Sequence, residues 1–273
     1  MNIFWTSSML YPSDAARFGS DMHHVRPAAT REKPAWSSAF DAAVICVSAD
    51  DDVLSVVGHL ASAMNSGSVA IDCSTVSAAT ARTAARQLAE HGVDFLDCPV
   101  SGGVEGARLA SLAIMAGGEP AVFERARPVL QSIGKTVVHM GPSGAGQATK
   151  ATNQILCAGA IQAAAEAMAF AAAQGLPLDR VIETLSHGAG ASWYFVHRAA
   201  YMAADAFPAG FRVRLHEKDL RICRDMAAER SGTLPMVEAT LRDYRQLIAD
   251  GHGDDDVSAL FRLKEKAYAA TTS

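Results

Sequence analysis

Lys135–Asn153 reads KTVVHMGPSGAGQATKATN, and the organisation of the chain turns on it. A short β-forming run, KTVVH, meets a glycine-rich turn that opens onto a long alanine-rich segment. Strand, glycine turn, helix is the order in which a chain cradles a pyrophosphate. Here, however, Gly144-x-Gly146-x-x ends in Thr149 rather than a third glycine, and a lysine follows. The turn is therefore either a phosphate loop or a device that presents Lys150.

Upstream of it, from Asp41 to about Gly141, short β-like runs alternate with helical patterns. Strands are expected at Ala42–Ser48, Ser68–Ser74, Val93–Val100, Ser111–Ala116 and Lys135–Met140. Helices are expected at Asp51–Met64, Ala78–His91 and Pro120–Ile133. Such alternation predicts a parallel sheet with helices on both faces. Downstream the rhythm changes. Gln147–Gln174 reads as one helix, stopped by Gly175 with Pro177 beyond. Helices follow at Leu178–Ser186, about Ser192–Ala203, Glu217–Arg230, Pro235–Asp250 and Asp256–Ala270, with no β-rich run between them. The expected architecture is α/β over residues 1–143 and all-helical over 144–273, joined by a long helix. In the first forty residues Asn2–Thr6 suits a strand, Ser13–Phe18 the start of a helix, and Arg26–Trp36 a loop. His23–His24 reads as part of a solvated loop.

Bulk composition narrows the function. A chain of 273 residues has volume for a substantial core. A net charge of −5, without a basic run, argues against nucleic acid as a partner. The five cysteines are scattered with no CxxC pair, which suits reduced thiols in a cytoplasmic protein. The nine histidines show no metal-binding spacing, so no metal is expected. The opening residues lack the charged start of a signal peptide. Ala158–Ala173 is apolar but contains Gln162 and Glu166, so a buried helix is preferred to a membrane span.

Four stretches carry chemistry. Lys150, Asn153 and Cys157 fall on one face of a helix, and an amine in partly buried surroundings can exchange protons near neutral pH. The alternative is a lysine reaching outward from the first turn. Asp97–Gly103, DCPVSGG, puts a hydroxyl and unobstructed N–H groups at the carboxyl end of a strand, where ligands of open α/β sheets sit. Those donors suit a carboxylate, although glycines also serve ordinary turns. Asp72–Ser77, DCSTVS, lies at another strand end, where Thr75 or Ser77 can cap the next helix. His216–Leu220, HEKDL, contains Lys218 and Asp219, readable as a solvated charge pair.

In this order and with this chemistry, DCSTVS, DCPVSGG, GPSGAGQATKATN and KDL resemble the β-hydroxyacid dehydrogenase family, which includes 3-hydroxyisobutyrate, tartronate semialdehyde and L-threonate dehydrogenases. GAGASWYFVHR and FPAGFRVRLHEKDL are similar to that family's substrate domain. The resemblance spans about Asp41 to Leu263. It implies a Rossmann-type sheet domain, NAD or NADP as cofactor, a small hydroxy acid as substrate, and a homodimer. It implies that Lys150 is the catalytic acid/base, that Ser101, Gly102 and Gly103 hold the substrate carboxylate, and that Asn153 lies on the hydroxyl side. Thr75 would meet the nicotinamide side of the cofactor and Lys218 would approach the cofactor from the helical domain. The glycines at 141, 144 and 146 then form a turn that places Lys150.

The family's pyrophosphate loop, a GxGxxG turn after its first strand, has no counterpart in these residues. The expectation is a sheet without that first βα unit. Val47–Ala49 also departs from the family's usual Leu-Pro near the cofactor. Thr6, Ser7 and Ser8 carry neither an acidic residue nor an arginine, and so select neither NAD nor NADP. A relative that keeps the fold without the cofactor, and an imine or ketone reductase of related architecture, are the alternatives. Trp193, Tyr194, Phe195 and His197 line a pocket or belong to the core.

Overall fold

The computed structural model describes residues 3–7, 22–24 and 41–269. The chain divides into two compact units, Met1–Lys150 and Ala151–Ser273, so the division falls inside one long helix. The readings of Ser13–Phe18 as a helix start and Arg26–Trp36 as a loop lie outside the described residues.

The first unit runs β1 (Ile3–Ser7), β2 (Met22–His24), β3 (Ala42–Cys46), α1 (Asp50–Ala63), β4 (Val69–Asp72), α2 (Ala78–Ala89), β5 (Asp94–Asp97), β6 (Val100–Ser101), α3 (Gly103–Arg108), β7 (Leu112–Gly117), α4 (Pro120–Ile133), β8 (Gly134–Gly141) and the start of α5 (Ala145–Ala173). Its sheet has the order β2-β1-β3-β4-β5-β7-β6, with β8 paired to β7. His23 and His24 lie in β2, parallel to β1, rather than in a loop.

Residue alternation explains the layers. Val44, Ile71, Leu96 and Ile114 point to one face and pack with Phe123, Ala126 and Leu130 of α4. Ala43, Ile45, Ala70 and Phe95 point to the other, against Val53, Val57 and Leu60 of α1 and Ala81, Ala84 and Leu88 of α2. A strand buried on both sides has no polar face, which is why these runs read as continuously apolar.

The sheet is parallel as expected except at one place. Strands β1 to β5 are parallel, but β7 runs antiparallel to β5 and β6, and β8 is parallel to β7. A parallel return needs a crossover long enough to carry the chain back to the other edge. Between β5 and β7 the only helix is the six-residue α3, so β7 starts from the edge at which β5 ends. The 14-residue α4 restores a crossover between β7 and β8.

The second unit continues α5 and adds α6 (Leu178–Leu185), α7 (Trp193–Ala203), α8 (Val213–Ala228), α9 (Pro235–Ala249), a 3-10 turn (Val257–Ala259) and α10 (Leu260–Ala269). Gly175 ends α5 in the left-handed region, at φ +69°, as its position suggested. Helix α8 starts at Val213, ahead of the expected Glu217. Its first amides donate to a distant loop, Val213 N–H to the Asp255 carbonyl and Arg214 N–H to that of Gly253. Those partners satisfy a helix start that the local sequence does not cap.

Among the described residues α5 is the one helix long and apolar enough to cross a membrane. Its Ala158, Ile161, Ala165 and Met168 are buried in the second unit's core with Met202, Leu220 and Tyr244.

Candidate active site

Lys150 lies on the second turn of α5, with only 8% of its surface exposed. Its ammonium donates to the Val100 carbonyl at 2.8 Å. Val100 and Ser101 form β6, paired to Ile114 and Ala113 of β7. The chain then turns through Gly102 (φ +133°) and Gly103 (φ +64°). Side chains strain in that region of φ, so both glycines are dictated by the turn. Ser101 is half-buried and the two glycines are exposed. The lysine and the Ser101–Gly103 turn are therefore neighbours, as the motif order implied.

The start of α5 is pinned by Asp97. Its Oδ1 accepts from the Gly144 amide at 2.7 Å and its Oδ2 from the Gln147 amide at 2.9 Å. A carboxylate is favourable at the positive end of a helix. Burial pushes the Asp97 carboxyl above the usual carboxylate range, with the Gly144, Gln147 and Gly146 amides opposing. The approach is close enough to exclude side chains. A Cβ on Gly117 would meet Asp97 Oδ1 at 2.5 Å, and one on Gly146 would overlap the Met115 and Asp97 carbonyls. The glycine turn is thus a helix start wedged against strand ends, carrying Lys150 one turn further on.

Thr75 sits in the turn after β4, half-buried between the buried Ser74 and Val76. Asp72 Oδ1 accepts from the Ser74 amide at 2.9 Å, and the Val47 amide donates to Ser74 Oγ at 2.9 Å. Ser77, not Thr75, caps α2, by accepting from the Thr80 amide at 3.0 Å. Asp72 pairs in register with Asp97 across β4 and β5. It is fully buried, and its Oδ2 has no hydrogen-bond partner among the described residues. Burial pushes its carboxyl up to about 6; the Ser74 hydrogen bonds oppose this, and the Asp97 and Asp50 charges reinforce it.

In the second unit, Asn153 Nδ2 donates to Gln154 Oε1 at 3.0 Å and approaches Cys157 Sγ at 3.5 Å. Gln154 Nε2 donates to Asp219 Oδ2 at 2.6 Å, and Lys218 Nζ meets Asp219 Oδ1 at 3.0 Å. Asn153 and Lys218 are thus linked through Gln154 and Asp219. Asp219 is buried, which rules out a solvated charge pair. Tyr194 and Phe195 are core residues, whereas Trp193 is exposed and stacks on His197 at 4.4 Å. Sequence reasoning passed over Asp97, Gln147, Gln154 and Asp219 as functional residues. Asp97 stood inside a quoted motif, and an acid at a strand end, two residues before Pro99, was the signal.

A nicotinamide dinucleotide would dock where the strand order reverses, at the carboxyl edge between β1 and β3. At the carboxyl end of β4 the clamped Ser74–Val76 turn leaves Thr75 as the more open residue. The described residues do not supply a phosphate cradle. The turn after β1 lies outside the described residues, and α1, which follows β3, begins with Asp50, Asp51 and Asp52. Carboxylates there oppose a pyrophosphate rather than hold it.

A sheet covered on both faces by helices, with a buried lysine held against the Val100 carbonyl, places the first unit in the α/β class. Residues 13–141 match the NAD binding domain of 6-phosphogluconate dehydrogenase. Residues 144–264 match the NAD-binding domain of NADP-dependent 3-hydroxyisobutyrate dehydrogenase. The chain is 37% identical to 2-hydroxy-3-oxopropionate reductase of Escherichia coli, over 73% of this chain and 68% of that protein. It is 33% identical to 2-(hydroxymethyl)glutarate dehydrogenase of Eubacterium barkeri, over 82% and 74% respectively. The crystal structure of 3-hydroxyisobutyrate dehydrogenase from Salmonella typhimurium superposes with a TM-score of 0.84 at 28% identity, over 96% of this chain and 100% of that one. The chain belongs to the β-hydroxyacid dehydrogenase family of NAD(P)-dependent oxidoreductases.

Proposed function

We propose that Lys150 is the acid/base group for interconversion of a small 3-hydroxy acid and its semialdehyde or keto form. The nicotinamide cofactor, when bound, supplies the hydride chemistry. Neutral Lys150 takes the hydroxyl proton as the substrate's C–H bond breaks, and the ammonium returns it in reduction. Ser101 and the Gly102–Gly103 turn hold the substrate carboxylate, and Asn153 holds its hydroxyl side. Thr75 and Lys218 contact the cofactor. Residues 1–143 form the cofactor domain, and 144–273 the substrate and dimerisation domain. The observation that carries the reading is the 2.8 Å contact of Lys150 Nζ with the Val100 carbonyl, immediately before Ser101. A proton-transfer group held there is within one residue of the proposed carboxylate turn.

The protein acts as a homodimer in the cytoplasm. Support for the dimer comes from α5, where Leu156 (69% exposed) and Phe170 (52%) lie close to four turns apart on one side. Scattered cysteines without a disulfide pattern suit a reducing compartment.

The test follows oxidation of 3-hydroxyisobutyrate, 2-(hydroxymethyl)glutarate and L-serine with NAD and with NADP, and reduction of 2-hydroxy-3-oxopropionate. At least one pair should turn over. Lys150→Ala should lower kcat by about a thousandfold, given that general acid–base groups contribute roughly 10²–10⁴-fold, with cofactor binding by nicotinamide fluorescence retained. A Lys150→Ala protein with wild-type kcat would remove the assignment.

A further inference from the structure

We infer that Gln147 is a positioning residue that locks the Thr75 turn at a set separation from Lys150. The inference rests on the assignment of Lys150 as the acid/base group.

Gln147 is 1% exposed. A buried carboxamide is costly unless both ends are bonded, and here both are. Its Nε2 donates to the Ser74 carbonyl at 2.8 Å, and its Oε1 accepts from the Val76 amide at 3.2 Å. These backbone groups lie on either side of Thr75. The side chain therefore grips the turn as a neighbouring strand would, pairing with one carbonyl and one amide and leaving the half-buried Thr75 between them.

The other end of Gln147 is fixed independently. Its own amide donates to Asp97 Oδ2 at 2.9 Å, while Asp97 Oδ1 takes the Gly144 amide. Asp97 thus holds the helix start, and the Gln147 side chain reaches from that start to the turn. Lys150 follows three residues later, on the same side of the helix, and its ammonium is held by the Val100 carbonyl. One turn of α5 accordingly carries a contact to the cofactor-side turn and a contact to the substrate-side turn. Hydride and proton transfer act on the two ends of one C–O unit, so the groups serving them must keep their spacing. A misplacement of about 1 Å costs rate rather than affinity, by about 10²-fold.

Removing the carboxamide should therefore leave α5 and substrate affinity in place while the chemical step slows. In the full chain, Gln147→Ala should lower kcat about ten- to hundredfold, with KM for the acid that the wild type turns over staying within about twofold. Gln147→Glu keeps the acceptor for the Val76 amide but sets a buried carboxylate oxygen against the Ser74 carbonyl, and should lower kcat at least as far as Gln147→Ala. Hydrogen exchange provides a readout independent of turnover. The Val76 amide should exchange about tenfold faster in Gln147→Ala, while the Gly144 amide, held by Asp97, keeps its rate.

Wild-type kcat in Gln147→Ala, or a rise in KM alone, would overturn the inference while leaving the Lys150 assignment standing. So would equal loss of protection at Val76 and Gly144, since the residue would then only hold the helix together. Retained turnover in Lys150→Ala, or a wild type without turnover on any of the four compounds, removes the assignment and this inference with it.

Discussion

Replacing Asp72 by asparagine should make the protein more stable at neutral pH, and the gain should vanish in acid. Asp72 is fully buried, has one unpartnered oxygen, and pairs in register with a second buried acid, Asp97. Its carboxyl is pushed up to about 6 from the usual 3.8. The folded state therefore binds this proton more tightly than the unfolded chain. The stability it contributes is complete below about pH 4 and is lost as pH rises through about 6. The rise from 3.8 to about 6 corresponds to about 3 kcal/mol, an upper figure because local relaxation reduces it. The carboxamide of an Asp72→Asn variant would keep the acceptor for the Ser74 amide and carry no charge at any pH. Urea unfolding followed by circular dichroism at about pH 4.5, 6 and 8 reads the difference. Asp72→Asn should exceed the wild type by about 1–3 kcal/mol at about pH 8 and by only about a third as much at about pH 4.5. A difference between the proteins that is independent of pH, or a less stable variant in the alkaline sample, would refute the buried-charge account.

Gly146→Ala should destabilise by about 2–3 kcal/mol in the same assay, because the new Cβ meets the backbone carbonyls of Met115 and Asp97, which cannot rotate away; a loss under about 0.5 kcal/mol would show that α5 is not wedged there. Leu156→Glu together with Phe170→Glu should convert a sedimenting dimer to a 28.7 kDa monomer, whereas a dimer that survives both charges would move the interface off this side of α5.

Two levels of this protein were legible in different places. Short, continuously apolar runs between helical patterns marked strands covered on both faces, since that signal lies in a few adjacent residues. Pro120 opening α4 and Gly175 closing α5 set boundaries by their own backbone preferences. The motif at Gly144–Lys150 announced a helix that carries a lysine, and the lysine lies beside the DCPVSGG turn. Apart from that last contact, which joins residues 50 apart, these features depend on residues a few positions apart, so a linear reading can reach them.

Other features depend on partners that only folding supplies. The reversal of β7 follows from where α3 leaves the chain in space, and no residue in β7 encodes its direction. The early start of α8 relies on the Gly253 and Asp255 carbonyls. Gln147 grips backbone groups 71 and 73 residues away, and Asp72 is shifted by the buried strand end it occupies beside Asp97. The sequence by itself determined most of the helices and strands, though not β2, β6 or α3, and singled out Lys150 as the candidate proton-transfer group. Only the tertiary structure decided what holds that lysine and the Thr75 turn in place, because a hydrogen bond between distant residues exists only once the chain has closed the loop between them.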